Sequence, residues 1–288
     1  MGLLAPVRHR IEYIGFAALA AIATALPLDW ASAISGFLWR RIAPQLGRQK
    51  RALDNLALAL PELSPAERRR VALAMWDNLG RSFVEFFHLE QIVAEGRIAL
   101  EPFDKFEAVA KGGPFVVCTL HLGNWELASQ AALRFGLPLA GVYQKLTNPL
   151  VDRWLYEKRR RFYPGGLFDK SPATSRALIK LARAGGYPAF VADLREGRGV
   201  KVPFFGHPAW TNPFPALIAR TAGIPIYAAG VVRTKGAHFV MRLEKVEAQR
   251  SDDRDADVLA TTAAVQAQFE RFIRDAPGQW MWGHRRWD

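Results

Sequence analysis

Between residues 100 and 240, short apolar runs alternate with longer helical stretches, and no other feature of this chain restricts its fold so strongly. The runs GPFVVCTL, PLAGVYQ, YPAFVADL and IPIYAAGVVR are separated by stretches such as PLVDRWLYEKRRRF and SRALIKLARAG, which read as helices. Strand runs divided by helices predict an α/β fold with a largely parallel central sheet flanked by helices. AHFVMRLEKV, with its alternating pattern, predicts a further strand. ADVLATTAAVQAQFERFIRDAP predicts a closing helix stopped by Pro277 and Gly278. Upstream, LSPAERRRVALAMWDNLGRSFVEFF opens with Ser64, Pro65 and Glu67, a capping box with proline at the first helical position. No internal repeat or low-complexity linker interrupts the chain, so one catalytic domain behind an N-terminal anchor is the simplest partition.

Composition narrows the class. The 288 residues suffice for a large core, and half of them are hydrophobic, yet long apolar runs are too few for a multi-span membrane protein. A net charge of +12 favours a polyanionic partner: nucleic acid, an anionic bilayer or a phosphorylated substrate. Nucleic acid is disfavoured, because no recognised motif is present and the basic residues are not interleaved with aromatics on one strand face. The single cysteine, Cys118, excludes a disulfide framework or a multi-cysteine metal site and reads as a buried strand residue.

At the N-terminus the uncharged stretch Tyr13 to Leu28 is sixteen residues long. As a helix it would rise only ~24 Å, short of the ~30 Å hydrocarbon core. A second apolar stretch, WASAISGFLWRR, follows and ends at Arg40-Arg41. Pro27 divides the two, and no clean small-x-small site follows, which argues against a signal peptide. Trp30, Trp39 and the flanking arginines have the character of an interfacial anchor. Residues 1–41 are therefore read as membrane-anchoring helices and 42–288 as the catalytic domain. The basic run of Arg40, Arg41, Arg48, Lys50 and Arg51 points to an anionic, cytoplasmic leaflet.

Chemistry concentrates in HLGNWE. In open α/β sheets the site lies beyond the carboxyl ends of the strands, and His121 falls there, directly after an apolar run. Glu126 follows five residues later, the wrong spacing for two ligands on one helical face, so no metal pair is expected. A carboxylate across a turn suits the orientation of an imidazole, which then acts as a general base near neutral pH. Gly123 and Asn124 supply the tight turn. There is no G-x-S-x-G elbow, no P-loop and no G-x-G-x-x-G after a strand, so neither a serine nucleophile nor nucleotide binding is signalled. A histidine base without a protein nucleophile suits direct transfer, in which a substrate hydroxyl attacks.

HLGNWE resembles the H-x4-D/E box of the glycerolipid acyltransferases. LPELSPAERRRVALAMWDNLGRSFVEFF, VPFFGHPAWTNP and the terminal PGQWMWGHRRW narrow the resemblance to the late (secondary) acyltransferases of lipid A biosynthesis, over nearly the whole chain. The resemblance implies an enzyme on the cytoplasmic face of the inner membrane. It would take a fatty acyl chain from acyl carrier protein and pass it to a hydroxyl on an acyl chain of a lipid A precursor, with no cofactor and no acyl-enzyme. His121 would deprotonate that hydroxyl and Glu126 would orient His121. The family also places an arginine after the second core strand and an aspartate at the end of a later one. These map to Arg159 or Arg161 and to Asp193, as substrate contacts, although Leu194 departs from the glutamine that often follows. Asn124 and Arg233, the latter at the end of GVVR, complete the candidate substrate-contacting set. Phe204 and Phe205 are read as an apolar wall for the acyl chain, Thr211 and Asn212 as caps of the following helix, and QWMWGHRRW as a membrane- or substrate-facing rim. The same chemistry would serve another hydroxylated lipid, such as a mannosylated phosphoinositide or an aminolipid. A basic, membrane-attached binding protein is the alternative outside the enzymes.

Overall fold

The computed structural model describes residues 4–287, so residues 1–3 and 288 of the two expected segments lie outside the described residues. Eleven helices are described: α1 (Leu4–Ala25), α2 (Leu28–Ile42), α3 (Arg48–Ala59), α4 (Pro65–Glu85), α5 (Leu89–Ala94), α6 (Phe103–Lys111), α7 (Gln130–Arg134), α8 (Pro149–Arg160), α9 (Pro172–Arg183), α10 (Phe214–Ala222) and α11 (Arg254–Asp275). Nine strands accompany them: β1 (Ile98–Leu100), β2 (Val116–Thr119), β3 (Leu139–Tyr143), β4 (Leu167–Asp169), β5 (Tyr187–Val191), β6 (Val200–Phe204), β7 (His207–Thr211), β8 (Ile226–Arg233) and β9 (Phe239–Val246).

Seven strands form one sheet in the order β1-β9-β8-β2-β5-β3-β4. Pairing from β8 through β2, β5 and β3 to β4 is parallel, and β9 runs antiparallel to β8. The expected α/β fold with a largely parallel sheet is therefore correct. Side chains alternate across the sheet as a strand's two-residue period requires. Val116, Cys118, Ile226 and Ala228 face one core with Met75, Trp76, Phe269 and Trp280. Ala229, Val231, Phe239 and Met241 face a second core with Leu89, Ile92, Phe106 and Leu127.

Local signals explain most element boundaries. The Ser64 hydroxyl accepts from the Glu67 backbone N–H while the Glu67 carboxylate accepts from the Ser64 N–H, the anticipated capping box, with Pro65 next. α11 ends at Asp275, and Pro277–Gln279 turn away as a short 3-10 segment. VPFFGHPAWT, not foreseen as strands, is an antiparallel hairpin, β6–β7, turning through Phe205 and Gly206 at positive φ. Of its proposed caps, Asn212 accepts from the Phe214 N–H, whereas the Thr211 hydroxyl donates back to the Ala209 carbonyl.

Pro27 breaks α1 from α2 where the sequence indicated, but α2 is not a detached anchor. Gly36 and Gly80 let α2 and α4 cross closely; a Cβ on Gly80 would stand 2.6 Å from the Trp39 Cβ. Ser35 donates to the Gly80 carbonyl and Ser32 to Glu85 at the same contact, each at 2.7 Å. No helix among the described residues is long and apolar enough to cross a membrane.

Candidate active site

The register of β2 on β5 builds the centre of the site. Thr119 lies opposite Val191, and two residues further along each strand stand His121 and Asp193. The His121 Nδ1 donates to Asp193 Oδ1 at 2.8 Å, and the His121 backbone N–H donates to Oδ2 at 3.0 Å. Oδ2 also accepts from the Trp280 indole at 2.7 Å. Asp193 is fully buried, so it braces His121 rather than contacting substrate as expected, and the three hydrogen bonds described on its carboxylate all come from donors. Burial pushes its carboxyl up, but His121 and the hydrogen bonds outweigh this and hold it below the usual carboxylate range. An ionised carboxylate can only accept, so the shared proton sits on Nδ1 and Nε2 is left as the basic nitrogen.

The loop behind His121 is fixed as firmly. Gly123 has φ +58°, and a Cβ there would fall 2.1 Å from the Val231 carbonyl oxygen, so only glycine fits this turn. Asn78 and Ser82 of α4 both donate to the Gly123 carbonyl at 2.9 Å. The Gly123 N–H donates to Gln279, which also ties down Arg233.

Glu126 is close by but does not hold the ring, a correction to its expected role. It lies in a 3-10 turn, Trp125–Leu127, and accepts from Nε and one terminal amino group of Arg159 at 3.0 and 2.5 Å. The spacing of five could not reveal this, because the competing carboxylate reaches His121 across the sheet from a strand 72 residues distant. Arg159 belongs to the site, stacked 5.3 Å over Phe86. Arg161 does not: it is exposed and points to Glu90. Asn124 and Arg233 are also displaced from their expected role as substrate contacts. Asn124 is fully buried and donates to Glu85, on which Arg233 also closes with both arms. These two residues stitch the loop to α4 rather than facing substrate beside His121.

Two cavities meet here. One, about 480 Å³, is lined by His121 and by polar groups including Lys170, Ser171, Arg195 and Asn212. The other, about 420 Å³, is walled by Phe16, Trp39, Phe83, Phe86, Phe87 and Leu155, among others. Trp125, Glu126, Leu146 and Arg159 line both. His284 borders the aromatic cavity, its buried Nδ1 unpartnered and its imidazole pushed down by burial and by nearby His121.

Met281 and Gly283 line that cavity too, but the tryptophans and Arg286 of the terminal motif are not a rim. Trp280, Trp282 and Trp287 are buried in the main core against Phe204 and Phe205, which line neither cavity. Arg286 is wholly buried, bonded to Trp210, Thr211 and Gln266, and burial pushes its guanidinium down to about 10. Aromatic and arginine residues read alike at a surface or in a core; the tertiary fold alone decided. Trp280 as a support for Asp193 was missed for the same reason, whereas His284 does face a cavity, as the reading of this motif as a rim expected.

A histidine held by a buried aspartate at the carboxyl end of a parallel strand, with an aromatic cavity alongside, is an arrangement that suits an α/β acyltransferase. Sequence comparison makes the class specific: the chain belongs to the bacterial lipid A biosynthesis acyltransferase family, whose profile matches residues 3–288. It is 27% identical to the lipid A biosynthesis lauroyltransferase of Escherichia coli (strain K12), over 83% of this chain and 78% of that protein. It is 24% identical to lipid A biosynthesis acyltransferase 1 of Shigella flexneri, over 96% of this chain and 86% of that protein. Against the lipid A biosynthesis acyltransferase of Haemophilus influenzae the identity is also 24%, over 82% and 74%.

Proposed function

We propose that this enzyme transfers a fatty acyl group from acyl carrier protein to the hydroxyl of an acyl chain on a lipid A precursor, at the cytoplasmic face of the inner membrane. The observation that carries the reading is the His121–Asp193 pair at the meeting of a polar and an aromatic cavity. Nε2 of His121 takes the proton of the acceptor hydroxyl as its oxygen attacks the thioester carbonyl. The C–S bond then breaks, the new C–O ester bond remains, and the imidazolium returns its proton to the departing thiolate. Asp193 keeps the ring in the required tautomer and stabilises the imidazolium. Glu126 acts through Arg159, holding the guanidinium rigid where two cavities converge so that it can face an oxyanion or a phosphate. The aromatic cavity suits a hydrocarbon chain, and Lys170 and Arg195 in the other suit the phosphate of a lipid A precursor or of the carrier's prosthetic arm.

The membrane seat rests on the outer faces of α1 and α2. Val7, Ile11, Ile14 and Ile22 are exposed along α1, and Trp30, Ile34, Phe37 and Leu38 along α2. An apolar stripe bordered by arginines suits a helix pair lying in the interface rather than crossing it.

The test is acyl transfer from acyl carrier protein to a tetra-acylated lipid A precursor, read by mass spectrometry, with His121→Ala in parallel. A gain of one acyl chain that falls ~10²–10⁴-fold in the variant is expected. No gain with any chain length sinks the acceptor assignment, and a gain unaffected by the substitution sinks the mechanism.

A further inference from the structure

A second, open groove of about 770 Å³ lies where the end of α2, one side of α4 and the 276–279 turn come together. Its ionisable lining is Arg40, Arg41, Arg70, Arg81 and Arg233 against a single acid, Asp77. Asp77 is already held by Arg81 at 2.5 Å, and Arg233 by Glu85. Arg70 has only a loose contact, 3.6 Å, with exposed Glu67. Arg40 and Arg41 have no acidic partner among the described residues, and Arg41 is stacked 5.0 Å over Phe37. The groove therefore keeps a surplus of about two positive charges even when Glu67 and Glu85 are set against it. Its walls are preorganised, because Arg81 and Arg233 are fixed by buried or half-buried partners while the free guanidinium groups stand at the mouth.

The mouth opens beside the exposed apolar side chains of α2, with Phe37, Leu38 and Ile42 next to Arg40 and Arg41 in sequence. A planar, permanently charged fork next to aromatic and aliphatic groups at an interface fits one kind of occupant: an anionic group that arrives with a hydrocarbon tail. We propose that this groove binds the phosphate headgroup of an anionic membrane lipid and so sets how the enzyme sits on the bilayer. The groove is separate from the cavities at His121 and meets that site at the back of its loop, where Asn78 and Gln279 both reach Gly123. The proposal rests on the interfacial seating of α1 and α2 argued above.

The experiment is vesicle flotation of the full chain on phosphatidylcholine alone and on phosphatidylcholine with phosphatidylglycerol. Arg40→Gln/Arg41→Gln/Arg70→Gln is compared with Lys50→Gln/Arg51→Gln/Arg69→Gln, which removes equal charge from neighbouring exposed positions outside the groove. The expected result is a preference for the anionic vesicles that falls at least about tenfold in the groove variant and clearly less in the control. Equal losses in both variants would reduce the effect to the general field of a basic surface and overturn the site. A groove variant with unchanged preference would overturn it too. Wild type that floats with neither vesicle would remove the membrane seating on which the proposal stands. Flotation on phosphatidylcholine without an anionic preference would leave that seating intact and remove the groove alone.

Discussion

Asp193 carries more than any other single side chain in this site: it orients His121, fixes the tautomer and is braced by Trp280. Replacing it with asparagine keeps the shape but lets the ring turn or change tautomer. We expect Asp193→Asn to lower the transfer rate by ~10³–10⁴-fold, measured as kcat with substrate binding little changed. The same residue predicts a pH dependence of stability. Its carboxyl lies below its ordinary value in the folded chain. The unfolded chain therefore binds the proton more readily, and the contribution is complete above the unfolded value of about 3.9 and lost as pH falls through the folded one. Urea unfolding between pH 3 and 7 should show wild type losing part of its advantage over Asp193→Asn at the acid end. An advantage that grows on acidification would contradict the assignment. Glu126 was legible as important from its distance to His121, but its partner was not, since spacing along the chain does not report what approaches from another strand.

At the level of elements, the crossing of α2 and α4 is where local sequence and packing meet. Gly80 sits within a helix, where glycine costs roughly 1 kcal/mol relative to alanine, so propensity argues for its replacement. Packing argues the opposite way, with Trp39 Cβ and the Ser35 carbonyl 2.6 and 2.7 Å from where a Cβ would stand. The packing effect should win. Gly80→Ala is expected to destabilise the fold by about 1–3 kcal/mol, read from chemical denaturation midpoints. A neutral or stabilising result would mean that α2 can slide on α4. The elements themselves were largely readable, because strand runs and the Ser64–Glu67 cap are local patterns. The β6–β7 hairpin was not, because Pro203 and Pro208 lie within strands whose register is set by pairing with each other.

On the proposed function, the whole molecule joins two requirements, a catalytic pocket and a surface that meets lipid. The aromatic cavity is closed partly by Phe16 of α1 and Trp39 of α2, the same helices whose outer faces are apolar. In the proposed seating, substrate chain and bilayer would be separated by a single layer of helix. Trp30→Ser/Phe37→Ser alters that outer face and also removes the ring on which Arg41 is stacked. It should weaken flotation on phosphatidylcholine vesicles by at least about tenfold, given ~1.5–3 kcal/mol for each large apolar side chain withdrawn from water. Circular dichroism and the unfolding midpoint should stay near wild type. Unchanged flotation would move the membrane contact to another face.

The sequence by itself determined the α/β class, most strand and helix positions, the break at Pro27 and the placement of His121 at a strand's carboxyl end. All of these follow from short-range periodicity, caps and turns, which are properties of neighbouring residues. Its motifs also pointed to the family. Tertiary structure alone decided that Asp193 rather than Glu126 holds the histidine, that Glu126 belongs to Arg159, and that Asn124 and Arg233 brace a loop. It also decided that the terminal tryptophans are core. The reason is physical: strand order and register bring residues 121, 193 and 280 together, and no pattern within a window of the chain encodes which strand lies beside which.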